Sequence, residues 1–291
     1  MGRPARVNPE GELVRIDDTS LFVVERGTGY PVIVLHGGPG LDHHEFADYL
    51  DPLTDEFRLL LVDQRANGRS ERSPESTWTL ERMAQDVIML ARALRLERYA
   101  VLGHSYGAFV ALQDAVDYPG MATQTIVSGG IPSMKYLEAV EENLNAFEPV
   151  HLREQVIASW AREASVSTQQ EFAQLMTDQF PFHFADPLDP RIADYLERTK
   201  DTVYSPDVLR VFSANGYGGI EVEDRLGEIS QPVLVMTGRH DRTCTVAAAE
   251  AIAEGIPNAE LRIFQQSGHM TFVEEQDLYV AIVRSFLTRT M

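Results

Sequence analysis

Along this chain, strand-length runs rich in apolar residues alternate with longer segments of helical spacing. Pro31-Val32-Ile33-Val34-Leu35, Arg58 to Val62, Tyr99 to Leu102, Gln124 to Val127, Pro232 to Thr237 and Glu260 to Phe264 are the runs. Continuously apolar runs such as Pro31 to Leu35 predict strands buried on both faces, as in a parallel sheet covered by helices. Glu12 to Ile16 and Leu21 to Arg26 flank the polar turn Asp17-Asp18-Thr19 and predict an antiparallel opening pair. Helices are predicted from about His44 to Leu53, from Trp78 to Leu96, after Gly107, from Thr243 to Glu254 and from Glu274 to Leu287. The second of these places Leu80, Met83, Ala84, Val87, Ile88, Ala91 and Leu94 on one face.

The alternation stops at Ile131, and the pattern stays helical to about Arg225. The expected fold is therefore α/β: a mostly parallel eight-stranded sheet with helices on both faces. Residues 1–130 and 226–291 form its core, and residues 131–225 form a helical cap over the strand ends.

Composition narrows the partners. The chain has 291 residues and a formal net charge of −19, which argues against nucleic acid or an anionic membrane surface. Cys244 is the single cysteine, so no internal disulfide forms. Met1 to Glu10 lacks the apolar run of a signal peptide, and no stretch approaches the roughly 20 apolar residues of a membrane span. A cytoplasmic location is expected.

The chemistry centres on Gly103-His104-Ser105-Tyr106-Gly107, which follows a predicted strand and opens a predicted helix. A Gly-x-Ser-x-Gly turn in that context exposes the serine at the carboxyl end of a sheet. A serine hydroxyl needs a base, and the base needs an acid to fix its tautomer. In this architecture the acid and then the histidine follow the serine along the chain. Of eight histidines, His36, His43, His44 and His104 precede Ser105, and His151 and His183 lie in the expected cap. His240 adjoins the best acid, Asp241, which leaves His269 in the loop after the last strand. Asp241 follows Pro232 to Thr237, and the strand before it runs into Ser128 to Met134, where there is no carboxylate. Asp241 is also a candidate N-cap for the helix that follows.

The N–H of Tyr106 is one expected oxyanion donor, and the loop His36-Gly37-Gly38-Pro39-Gly40 supplies the other, from Gly37 or Gly38. His36 reads as a structural hydrogen-bonding residue, and Asp63 with Arg65 as a structural ion pair. Adjacent His43 and His44 suggest no metal site, since no third ligand is near by spacing. No Gly-x-Gly-x-x-Gly or P-loop pattern is present, so no nucleotide cofactor is expected. Aromatic residues of the cap, among them Phe182, Phe184, Tyr204 and Tyr217, are candidates for a substrate pocket, as is Arg242 beside the acid.

Together, His36 to Gly40, Asp63-Gln64-Arg65-Ala66-Asn67-Gly68-Arg69-Ser70, the serine pentapeptide, Asp241 and Ser267-Gly268-His269 resemble the α/β-hydrolase superfamily, in its proline iminopeptidase-like branch. The resemblance covers roughly residues 20–130 and 230–285, and the cap matches poorly. It implies a triad of Ser105, Asp241 and His269. Two departures stand out. Ala66-Asn67 replaces the usual Gly-Ser or Gly-Cys. The tricorn-interacting aminopeptidases that the chain resembles hold the substrate's amino group with two glutamates, where this chain has Asn215-Gly216-Tyr217-Gly218-Gly219 and Arg242.

The leading expectation is a serine hydrolase for a small ester, amide or lactone that does not depend on a free α-amino group, because Arg242 facing the pocket would repel an ammonium. An aminopeptidase taking a short peptide is the alternative, and a non-catalytic ligand receptor on the same fold is the alternative from another class.

Overall fold

The computed structural model describes residues 10–290. The stretch read for a signal peptide, Met1 to Glu10, lies outside them except for its last residue. Eight strands form one sheet: β1 (Glu12–Arg15), β2 (Ser20–Arg26), β3 (Tyr30–Leu35), β4 (Phe57–Asp63), β5 (Ala100–His104), β6 (Gln124–Ser128), β7 (Val233–Gly238) and β8 (Ala259–Phe264). Their order is β1-β2-β4-β3-β5-β6-β7-β8. Both pairings of β2 are antiparallel and the rest are parallel.

Side-chain alternation splits the core in two. Val23, Ile33, Leu35, Leu60, Val62 and Val101 face α1 (Leu80–Ala93), α2 (Tyr106–Asp117) and α8 (Val246–Gly255). Val24, Val32, Val34, Leu59, Leu61 and Leu102 face the other way, toward Phe46 and α10 (Gln276–Leu287). Because β5 and β6 are buried at every position, the apolar runs carry no period of two.

Between β6 and β7 run α3 (Glu138–Asn145), α4 (Val150–Arg162), α5 (Gln169–His183), α6 (Arg191–Arg198) and α7 (Pro206–Ala214). A single β-bridge, Ser133 to Glu221, joins the two ends of this insertion.

Two predicted helices differ. The segment from His44 to Leu53 forms two 3-10 turns, His43–Phe46 and Asp51–Leu53, because Ala47 between them takes φ 40° and ends the first turn. The closing helix is broken at Glu275 into α9 (Thr271–Glu274) and α10. The Glu275 carboxylate reaches back to Gln266 N at 3.0 Å and Ser267 Oγ at 2.7 Å, while Glu274 takes Gly268 N and Ala185 N, each at 2.8 Å. Two carboxylates thus clamp the loop that carries His269.

Candidate active site

Ser105 sits between β5 and α2 at φ 54°, ψ −121°. A non-glycine residue there is strained by about 1–3 kcal/mol. The flanking glycines make the turn possible. A Cβ on Gly103 would stand 2.0 Å from Gly107 O, and one on Gly107 would stand 2.3 Å from Leu35 O in β3. Helix and strand backbones meet where those side chains would be.

His269 and Asp241 leave the carboxyl ends of β8 and β7, and Nδ1 of His269 lies 2.7 Å from Asp241 Oδ2. The other carboxylate oxygen accepts from Thr243 N, Thr243 Oγ1 and Cys244 N, all at 2.9 Å. One oxygen therefore orders the turn before α8 while the other orients the imidazole. The N-cap position of α8 itself is Thr245, so the capping expected of Asp241 is given to the preceding turn. Burial raises the Asp241 pKa, but His269 and the Thr243 donors outweigh it and hold the carboxyl below its ordinary value. Burial lowers that of His269, yet the Asp241 carboxylate, with help from Glu45 and Glu274, leaves it raised. His104 and His183 pack their rings 4.9 and 5.3 Å from that of His269. Burial and the neighbouring His269 keep both neutral, with His183 pushed down to about 3.

Ser105, Tyr106, Gly38 and His269 border one largely apolar cavity beneath the helical insertion. The face of α5 that closes it is a single helical stripe: Phe172, Leu175, Met176, Gln179, Phe180 and His183. Of the two loop glycines, Gly37 donates its N–H to Glu45 Oε2 at 2.5 Å. That N–H is committed, so of the two candidates Gly38, with φ 109°, is left to serve with Tyr106.

Four of the five expected pocket side chains lie elsewhere. Phe182 is fully buried against Phe147 and Trp160, and Phe184 is buried in the core on the α10 face. The two leave the end of α5 in different directions, Phe182 into the packing of the helical insertion and Phe184 into the sheet core. Tyr204 packs behind Phe172 with ring centroids 4.8 Å apart. Arg242 turns away from the cavity and donates to the carbonyls of Phe182, Phe184 and Ala185 at 3.0, 2.6 and 3.1 Å, closing the end of α5. The repulsion of an ammonium expected from Arg242 therefore has no structural basis. Tyr217 does line the cavity, where its hydroxyl donates to Glu163.

Glu45, Glu163 and Gln179 border the cavity but were not singled out in the sequence, and beside Gln179 stands His183, which the sequence placed only in the cap. The helical period of α5 is a signal that finds the last two. The motif Asp241-x-Thr243, a side chain bonding its own backbone two residues on, is one that finds the threonine. Glu45 has no such local sign.

His36 is structural: Nδ1 lies 2.8 Å from Gly37 O and Nε2 accepts from Gln64 N at 3.1 Å. Asp63 and Arg65 do not pair with each other. Asp63 holds His43 Nδ1 at 2.7 Å and the N–H of Arg69, whereas Arg65 is buried between Asp86 and Asp18. Their side chains leave the strand end in opposite directions. A third polar group does stand beside His43 and His44, since Asp42 brings a potential ligand atom within 4.8 Å of both. Both Nδ1 atoms there are already bonded to carboxylates, of Asp63 and Asp42.

The α/β hydrolase fold family matches residues 30–276. A proline iminopeptidase of Heyndrickxia coagulans is 28% identical over 271 residues, covering 90% of this chain and 92% of the relative. The crystal structure of the proline iminopeptidase of Mycobacterium smegmatis has a TM-score of 0.75 at 25% identity, over 96% of this chain and 98% of its own. An esterase of Exiguobacterium antarcticum shares the fold, with a TM-score of 0.71 at 22% identity over 96% and 99%. Among the described residues, no helix is long and apolar enough to cross a membrane. With its strained serine turn at the centre of a mostly parallel sheet, matched over nearly the whole length, the chain belongs to the α/β-hydrolase fold family and is a distant relative of the proline iminopeptidases.

Proposed function

We propose that this protein is a serine hydrolase that cleaves a small ester, amide or lactone through an acyl-enzyme on Ser105, with His269 as base and Asp241 as its orienting acid. The observation that carries this reading is that the Asp241–His269 pair opens onto the same apolar cavity as Ser105. Asp241 on Nδ1 leaves Nε2 of His269 to take the serine proton and return it to the leaving group. The oxyanion would meet the N–H groups of Gly38 and Tyr106 at the start of α2, where the helix dipole adds to them. A largely apolar cavity with a few polar groups at its border suits a small molecule.

The test is covalent. A fluorophosphonate should label Ser105 alone, and Ser105→Ala should abolish turnover of aryl esters while the fold persists. A variant keeping more than a tenth of the wild-type rate removes Ser105 from the mechanism. Turnover itself separates this reading from a ligand receptor on the same fold.

A second reading, hydrolysis next to a free amino group, is favoured by the carboxylates of Glu45 and Glu163. Both border the cavity, and their hydrogen-bond partners are neutral: Gly37 N–H for the first, Tyr217 and Gln179 for the second. An ammonium drawn into such a site loses hydration worth several kcal/mol unless a carboxylate replaces it. Comparing kcat/KM for proline p-nitroanilide and its N-acetyl form decides. A free-amine preference above roughly a hundredfold, about 2.7 kcal/mol, establishes the aminopeptidase reading; equal rates exclude it.

A further inference from the structure

We propose that Glu45 is a further catalytic residue: anchored through one oxygen by Gly37 N–H, it presents its other oxygen toward Ser105 and, carrying a proton there, donates a hydrogen bond to the oxyanion. The proposal rests on the reading of Ser105 as nucleophile.

Geometry comes first. Glu45 is buried, lines the cavity with Ser105 and His269, and has its carboxyl fixed by the 2.5 Å bond from Gly37. The point where a Cβ on Gly37 would stand lies 2.7 Å from Glu45 Oε1 and 3.0 Å from Ser105 Cβ. The absent side chain of Gly37 is thus what lets the free carboxyl oxygen approach the serine. The main chain of Glu45 is held as well, since its carbonyl accepts from Tyr195 Oη of α6 at 3.0 Å.

Charge then selects the protonation state. An ionised carboxylate beside a developing oxyanion in a largely apolar pocket opposes the reaction, whereas a neutral acid stabilises it. Burial pushes the Glu45 pKa up to about 7, with Gly37 N–H and His269 pulling down and Asp42 pushing up. Tyr195 from α6 and Tyr279 from α10 also feel its charge. A carboxylic acid kept neutral by an apolar site is a known form of oxyanion donor. Glu45 and His269 each shift the other, so they titrate as a pair, and the productive form has one proton, on Glu45.

In the acylation step the Oγ–C bond forms, the Oγ proton passes to His269 Nε2, and the carbonyl π pair moves onto oxygen. There it meets Gly38 N–H, Tyr106 N–H and Glu45 O–H. Collapse breaks the bond to the leaving group, which departs with the proton from His269. Water repeats the sequence to release the acid, and the Glu45 proton stays in place throughout.

The experiment is the pH dependence of kcat/KM between pH 5 and 9 for an uncharged aryl ester, in wild type, Glu45→Gln and Glu45→Leu. Wild type should give a bell whose two limbs belong to the pair, the alkaline one marking loss of its last proton. Glutamine accepts from Gly37 and still donates, so E45Q should lose the alkaline limb. Near pH 6 it should recover at least tenfold of the roughly hundredfold loss expected for E45L, the scale of one oxyanion donor. A wild-type curve that rises once and stays flat to pH 9 overturns the proposal, as does an E45Q variant as poor as E45L. So does an E45Q defect confined to free-amine substrates, which would make Glu45 an ammonium ligand. If E45L does not fold by thermal melt, the wild-type and E45Q profiles decide. Fluorophosphonate labelling keeps the outcomes apart: an unlabelled wild-type Ser105 sinks the underlying serine-hydrolase reading, while a labelled one leaves only the role of Glu45 at stake.

Discussion

Asp241 divides its two oxygens between jobs, and that division decides what its removal does. Oδ1 collects three donors of the turn before α8, and Oδ2 receives His269 Nδ1. Asp241→Asn replaces Oδ2 by an oxygen or an amide. In the amide orientation the histidine keeps its other tautomer and cannot accept at Nε2, so kcat should fall by a factor on the order of 10⁴. A loss below tenfold near pH 7 means that another acid serves. The pH profile carries the sign of the same interaction. His269 works as a base only when neutral, so kcat/KM should rise with pH through its pKa. The Asp241 carboxylate raises that pKa above the ordinary 6.5, so the acid limb should be centred above 6.5. In Asp241→Asn the residual activity should show that limb moved to lower pH, which a pH series on both proteins measures. Ser105 and Asp241 were legible at this scale, because glycine spacing and strand ends are local. Glu45 was not, since nothing near it in sequence shows that its carboxyl folds back onto Gly37.

At the scale of elements, α5 explains which of the expected aromatic residues reach the cavity. Phe180-Pro181-Phe182-His183-Phe184 is apolar all round, and composition alone does not say which side faces the cavity. The helical period does: Phe172, Leu175, Met176, Gln179, Phe180 and His183 share one stripe, while Phe182 packs within the insertion and Phe184, past the helix end, in the sheet core. The end of that helix is joined to the core by Arg242, whose guanidinium also lies 5.2 Å over the Phe147 ring. Removing it strands three carbonyls at the edge of the insertion and frees the residue beside Asp241. Arg242→Ala should cost roughly 2 kcal/mol, on the scale of hydrogen bonds from a charged donor, discounted for its partial exposure. Urea denaturation should show that loss, and KM should rise as the α5 wall loosens. A variant with unchanged stability would show that water replaces the guanidinium at no cost. The helix predicted after the glycine–proline loop failed for a different reason, a positive φ at Ala47 that no residue type announced.

Across the whole molecule, the apolar runs by themselves determined the sheet. Each is a strand, and burial on both faces is a property that a short run of branched aliphatic residues states directly. Chain order then led to Asp241 and His269, because in a parallel sheet the loops after successive strands gather at one edge. Tertiary structure alone decided the direction in which side chains leave their backbone. Arg65 turns to Asp86, 21 residues on, and Asp63 to His43, 20 residues back. Arg242 meets carbonyls 57 to 60 residues earlier in the chain. Such pairings arise when the helical insertion settles on the strand ends, and the energy of a buried charge is set by the groups that arrive there. Sequence spacing carries the backbone path and its periodicity. The partners of a buried carboxylate or guanidinium exist only once separate elements are packed together, and so the polar lining of the cavity had to be read from the fold.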